Sequence, residues 1–224
     1  FYLDAAILFA DILLPAECLG FQIDFNPGPK VANPVRRTAD ISALTQTDVS
    51  TDMRYVFDAV RMIRNELDGL ESKEPKTLIG FAGAPWTLAC YLLDQGPYKH
   101  FAGTQVFAEE SPEALHLLLA MLSELTAEYL IGQIESGAQM VQLFDTWSGN
   151  LSEDDYRRWA LPYARRVFET VGTRCPRALY INGSAHLLSA MAESGAEALS
   201  VDWRTSIAAA REVSGGKLVI QGNL

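Results

Sequence analysis

The sequence predicts an α/β fold of the (β/α)8 barrel type with about six of the eight core strands present, and three observations predict it. Six short apolar runs each stop at a polar residue or a glycine, helical patterns lie between them, and the last three run ends, Asn182, Asp202 and Asn223, are only about twenty residues apart. Continuous rather than alternating apolar character suits strands buried on both faces of a parallel sheet. Tight repeated units favour a barrel over an open doubly wound sheet. No Gly-x-Gly-x-x-Gly follows any run, which removes the main reason to expect a dinucleotide fold. A whole barrel has eight strands and typically about 250 residues. The 224 residues are therefore expected to form one barrel domain, 1–224, lacking a strand unit at each end.

In chain order, the first strand is expected over Ala5–Ala10, ending at Asp11. Gly20–Asn26 alternates Phe21, Ile23 and Phe25, the pattern of an extra strand or hairpin arm outside the barrel. A helix follows from Asp48 to Asp68, closed by Gly69, and then a strand over Leu78–Ala82 before Gly83. The next helix starts with Pro112 in its first turn behind Ser111 and runs to Ser136, with Gly137 placed to end it. Met140–Phe144 leads to Asp145. Behind Ser152, Glu153, Asp154 and Asp155 fill a first helical turn, where negative charge suits the helix dipole, and Pro162 interrupts that helix further on. Ala178–Ile181, Ala198–Val201 and Leu218–Ile220 complete the strands, ending at Asn182, Asp202 and Gln221. Helices over Ser184–Ser194, closed by Gly195, and Thr205–Ser214, closed by Gly215, separate them.

Composition narrows the function. Hydrophobic residues at 49% and charged residues at 21% are ordinary for a globular chain. Apolar stretches such as Leu117–Leu122 are too short to cross a bilayer, and no export signal opens the sequence. Cys18, Cys90 and Cys175 are isolated, which fits reduced thiols in the cytoplasm better than a disulfide framework. His100, His116 and His186 have no metal-ligand spacing, so no metal site is expected. A net charge of −10 disfavours nucleic acid and anionic membranes as partners. None of Lys30, Lys73, Lys76, Lys99 and Lys217 stands at a strand's carboxyl end, which disfavours Schiff-base chemistry.

Barrel enzymes carry their chemistry at the carboxyl ends of the strands. That rule nominates Asp11, Gly83, Asp145, Thr146, Asn182, Asp202 and Asn223, with an aromatic expected just inside these ends at Phe9, Phe81, Phe144 and Trp203. Taken singly, a strand-end aspartate more often caps a helix and a phenylalanine fills the core. Together they describe an apolar pocket with a sparse polar rim.

The strings DAAILFADILLPAECLG, LIGFAGAPWTLACYLL, GAQMVQLFDTWSGNLS, GAEALSVDWRTSIAAAR and LVIQGNL resemble successive blocks of the uroporphyrinogen decarboxylase family, in the family's order and over most of the chain. The resemblance implies an enzyme that removes CO2 from the four acetate side chains of uroporphyrinogen III, giving coproporphyrinogen III without a cofactor. It implies that the pyrrole N–H groups converge on Asp11, that Tyr91 contacts the substrate, and that Thr146 hydrogen-bonds a substrate carboxylate. Ile7, Phe9, Phe81 and Phe144 would form apolar walls. The alternatives are that Tyr91 is a half-buried helix residue and Thr146 a helix cap. A homodimer is also implied.

The family's arginine-rich amino-terminal motif and its carboxy-terminal histidine motif do not occur in the sequence, so the polypeptide as it stands is expected to decarboxylate poorly. Arg36 and Arg37 are more readily a solvated loop pair than substitutes for those arginines. Around Ala178–Ile181 the sequence departs from the decarboxylase pattern. The related zinc-dependent corrinoid or thiol methyltransferases are the alternative, but Tyr180 and Asn182 hold the positions of their ligands. A catalytically incomplete tetrapyrrole-binding barrel is a third.

Overall fold

The computed structural model describes residues 3–26, 28–70, 75–93 and 102–222. Asn223, Lys73, Lys99 and His100 lie outside the described residues. Six strands, β1 (Ala5–Ile7), β4 (Thr77–Gly83), β5 (Met140–Phe144), β6 (Arg177–Ile181), β7 (Ala198–Val201) and β8 (Val219–Gln221), form one sheet in the order β1-β4-β5-β6-β7-β8. Every pairing is parallel. The sheet curls as an incomplete (β/α)8 barrel, as the run spacing predicted. β2 (Ile23–Asp24) and β3 (Lys30–Val31) pair antiparallel outside it, matching the predicted arm.

The helices are α1 (Thr38–Ser42), α2 (Val49–Asp52), α3 (Arg54–Asp68), α4 (Pro85–Leu93), α5 (Ala102–Glu110), α6 (Pro112–Glu135), α7 (Glu153–Trp159), α8 (Leu161–Val171), α9 (Leu188–Met191) and α10 (Ile207–Val213). Several boundaries differ from the sequence pattern for local reasons. Met53 leaves helical geometry (φ −95°, ψ 12°) and splits the Asp48–Asp68 stretch into α2 and α3. Ala160 (φ −113°, ψ −54°) separates α7 from α8, two residues before Pro162, whose ring cannot follow a regular turn. The Ser184–Ser194 stretch is helical only over Leu188–Met191, because turns beginning at left-handed Gly183 (φ 72°) use up its start. Only Ala5–Ile7 of the first apolar run pairs with β4.

α6 corrects one expectation. It is long and apolar enough to cross a bilayer by length and composition. It is nevertheless a core helix, with Leu115, Leu118, Leu119, Leu122, Leu125 and Leu130 fully buried. A helix apolar on all sides is a buried one.

Register assigns the two faces of the sheet. Val141, Leu143, Leu179, Ile181, Leu199 and Val201 are buried in the core under the helices. Gly80 points the same way: a Cβ there would meet the Gln133 side-chain oxygen of α6 at 2.8 Å. Gln133 in turn accepts from the Phe81 N–H and donates to the Phe81 carbonyl, both at 2.9 Å. Side chains alternate along a strand, so Ile7, Phe81, Gln142, Phe144, Tyr180 and Ser200 share the opposite, lumen face. The amino-terminal ends of the strands are closed by ion pairs. Arg64 of α3 donates to the Lys76 carbonyl at 2.9 Å and pairs with Asp68, and Arg177 pairs with Glu197.

At the carboxyl ends the turns pack against one another. A Cβ on Gly149 would lie 1.8 Å from the Asn182 carbonyl oxygen, and a backbone atom has no rotamer by which to move aside. Gly149→Ala is therefore expected to destabilise the fold by about 1–3 kcal/mol, as overpacking does. Denaturant unfolding checks it; an unchanged midpoint would show that the two turns do not touch.

Candidate active site

Asp11 follows β1 and opens the tight 3-10 turn Leu14–Leu19. Its Oδ1 accepts from the Leu13 N–H at 2.8 Å. The residue is half-buried rather than buried, and among the described residues Oδ2 accepts no hydrogen bond. One oxygen is thus fixed by the turn and the other is unengaged among the described residues. Gly83 lets this turn sit against the end of β4: a Cβ there would meet Leu88 at 2.9 Å and Ile12 at 3.1 Å.

Tyr91 is half-buried on α4. Burial chiefly raises the pKa of its phenol, hydrogen bonding with Trp147 opposes that, and the charge of Asp11 raises it further. Asp11 and Tyr91 are therefore within electrostatic reach of each other. The Tyr91 and Trp147 rings meet edge-on, 6.1 Å between centroids. Thr146 opens the 3-10 turn Thr146–Asn150 after β5, half-buried, and its hydroxyl makes no hydrogen bond among the described residues.

The aromatic residues form a continuous series across the lumen face. Phe9 lies 6.5 Å from Phe81, Phe81 lies 5.6 Å edge-on to Phe144, and Phe144 lies 5.5 Å edge-on to Tyr180. Its β1 end is open: Phe9 is 86% and Ile7 49% exposed, while Phe81 is buried. Trp203 departs from the expectation that it sits inside a strand end. It lies beyond β7 and is 68% exposed. Tyr180 takes the fourth place instead, and period-two alternation from Ala178 was the signal for it. Arg36 and Arg37 lie apart from this face, exposed at the start of α1, where Arg37 pairs with Asp40 at 3.3 Å.

Beneath the rim lies a carboxylate that the strand-end rule named but did not rank. Asp145 is fully buried; Oδ1 accepts from the Thr87 hydroxyl at 2.8 Å and Oδ2 from the Ser148 hydroxyl at 2.5 Å. Thr87 Oγ1 in turn accepts from the Trp147 N–H at 3.2 Å, and the Asp145 N–H donates to the Tyr180 carbonyl at 2.8 Å. Asp145 therefore ties the Thr146 turn to the first turn of α4, the helix that carries Tyr91. Burial raises its pKa from 3.8 to about 6, against the pull of the hydrogen bonds from Ser148 and Thr87.

The folded form therefore holds the Asp145 proton up to about pH 6, whereas the unfolded form releases it near the ordinary carboxyl value of about 3.9. As pH falls from 7 to 4 the folded protein takes up a proton that the unfolded chain does not, and this group's contribution to stability rises by on the order of 3 kcal/mol. Asp145→Asn lacks this slope. Unfolding free energies of both forms, measured from pH 7 to 4, are expected to diverge in favour of the wild type; parallel curves would place the titration elsewhere.

Comparisons with known proteins bear on the family and the fold. A family model described as uroporphyrinogen decarboxylase matches residues 1–224. The chain is 44% identical to a uroporphyrinogen decarboxylase of Xanthomonas euvesicatoria pv. vesicatoria, covering 100% of the chain and 64% of that protein. It is 41% identical to one of a Geobacter species, with 99% and 64% covered. The chain thus spans 64% of the length of these relatives. Among solved structures, a methyltransferase from Methanosarcina mazei superposes with a TM-score of 0.81 at 20% identity, over 97% of this chain and 63% of that one, a likeness of fold. With the family model matched from end to end and the strand-end motifs gathered on one rim, the chain belongs to the uroporphyrinogen decarboxylase family.

Proposed function

We propose that residues 1–224 contribute one barrel unit to a uroporphyrinogen decarboxylase, in which Asp11 stabilises the positive charge that develops on each pyrrole as it reacts. The observation that carries this reading is Asp11 itself, one carboxylate oxygen held by the Leu13 N–H and the other unengaged among the described residues, two positions after Phe9, which begins the aromatic series.

Protonation of a pyrrole carbon turns the ring into a cation. The C–C bond to the acetate carboxylate then breaks, CO2 leaves, and the bonding electron pair flows into the ring and cancels its charge. Protonation of the resulting exocyclic carbon and loss of the added ring proton restore the pyrrole and leave a methyl group. The ring is its own electron sink, so the reading calls for no cofactor and no metal. Asp11 acts on the high-energy step: a fixed charge in a water-poor setting favours the cation more than the neutral ring. Phe81, Phe144 and the more exposed Ile7 and Phe9 supply the apolar face against which the macrocycle lies. Tyr91 closes the site beside Asp11, and Thr146 offers its hydroxyl to a substrate carboxylate. A homodimer and a cytoplasmic setting belong to the same proposal, carried over from the resemblance to the family. The methyltransferase alternative rests on fold likeness alone, and positions 180 and 182 carry Tyr and Asn, whose side chains are poor zinc ligands.

Asp11→Asn keeps an oxygen to accept from Leu13 and removes the charge. It is expected to leave the unfolding midpoint in place and to lower kcat for uroporphyrinogen by on the order of 10² or more. Turnover near the wild-type rate in that variant would remove Asp11 from the chemistry. A wild-type chain that neither binds nor consumes uroporphyrinogen would refute the assignment as a whole.

A further inference from the structure

The proposed substrate is a polyanion, whereas the chain carries a net charge of −10. The described turns that follow the barrel strands, residues 8–22, 84, 145–152, 182–187, 202–206 and 222, contain one Lys or Arg between them, Arg204. Other arginines are engaged away from these turns. Arg64 and Arg177 close the amino-terminal ends of the strands, Arg157 pairs with Glu193 just past α9, and Arg166 pairs with Glu124 of α6.

Arg204 is held in place. Its backbone N–H donates to Asp202 Oδ1 and its Nη1 to Asp202 Oδ2, each at 3.2 Å. Asp202 is itself 2% exposed, and its Oδ2 also accepts from the Gly183 N–H at 2.8 Å, so the anchor is fixed to the turn after β6. Gly183 takes a left-handed conformation (φ 72°), and a Cβ there would be in ordinary contact with the guanidinium, 3.6 Å from Nη1. The guanidinium packs over the Trp203 ring at 4.9 Å, and the side chain is 51% exposed. Among the described residues, Nε and Nη2 donate no hydrogen bond, which leaves one edge of the fork unoccupied. The aromatic series ends beside it: the Tyr180 phenol feels the charges of both Asp202 and Arg204.

We propose that Arg204 is a substrate-binding residue that receives one carboxylate of the tetrapyrrole on its open edge. It lies on β7's side of the rim, with β4, β5 and β6 between it and the Asp11 turn. The inference rests on the decarboxylase reading and adds to it the residue that orients the macrocycle over Asp11. A guanidinium edge matches a carboxylate with two parallel hydrogen bonds, which an ammonium cannot reproduce. Asp202 neutralises part of the charge, so the gain lies in placement more than in long-range attraction.

The test uses the full chain, with uroporphyrin fluorescence quenching for affinity and uroporphyrinogen turnover for KM and kcat. Arg204→Gln is expected to weaken uroporphyrin binding and raise KM roughly ten- to hundredfold, with kcat within about twofold and the unfolding midpoint unchanged. Arg204→Lys is expected to recover part of the affinity. Binding equal to wild type in Arg204→Gln overturns this inference alone. So does a loss that comes with a lower midpoint and that Arg204→Lys leaves unrestored, since that marks a structural tie to Asp202. Absence of uroporphyrin binding and turnover in the wild type overturns the decarboxylase reading and this inference with it.

Discussion

The rim depends on a carboxylate that faces no solvent. Asp145 is fully buried, and both its oxygens are taken by hydroxyls from separate segments, Thr87 in α4 and Ser148 in the turn after β5. A buried charge is tolerated only where hydrogen bonds replace water, and these bonds also fix which segments meet. The same residue's N–H reaches the Tyr180 carbonyl of β6. Thr146, Tyr91 and Tyr180 are therefore tied together through one residue, by the side chain and the backbone N–H of Asp145. A pKa raised to about 6 is the measure of what that burial costs.

From this centre the strand-end turns connect in both directions. Toward β1, Gly83 admits the Asp11 turn against the end of β4. Toward β7, Gly149 admits the Asn182 carbonyl, and Gly183 donates to Asp202, which holds Arg204. The two ends of the strands thus divide their work. The amino-terminal ends carry the structural ion pairs of Arg64 and Arg177, and the carboxyl ends carry groups with unused hydrogen-bonding capacity. That division is expected of a barrel that places reacting groups at one mouth.

Much of this was legible in the sequence, because a continuous apolar run bounded by a polar residue is strong evidence for a strand buried on both faces. β5 and β7 run as predicted, and the helix behind Ser152 has its predicted cap, with the Ser152 hydroxyl accepting from Asp155 N–H. The strand-end rule found Asp11, Asp145 and Asp202 together, but it could not separate an aspartate with a free oxygen from one with none. That difference lies in partners such as Thr87, 58 residues from Asp145 in sequence. Arg204 passed unnoticed for a related reason: its surroundings come from Gly183 and Tyr180, which only the sheet brings near. Trp203 was misplaced because an aromatic after a strand-end aspartate has already left the strand's alternation.

The arrangement also bears on how an acidic chain could present the proposed site for an acidic macrocycle. What matters at the rim is where each charge sits and whether it is already neutralised. Asp202 is matched by Arg204, and Asp145 lies beneath the surface with both oxygens satisfied. Among the three strand-end aspartates at the mouth, that leaves half-buried Asp11 as the one with an oxygen unengaged among the described residues. A neutral pyrrole gains little from such a group, whereas a pyrrole that has just accepted a proton gains much. In the proposed function, a fixed carboxylate beside an apolar wall would distinguish the reacting ring from the resting one, and that distinction would lower the barrier.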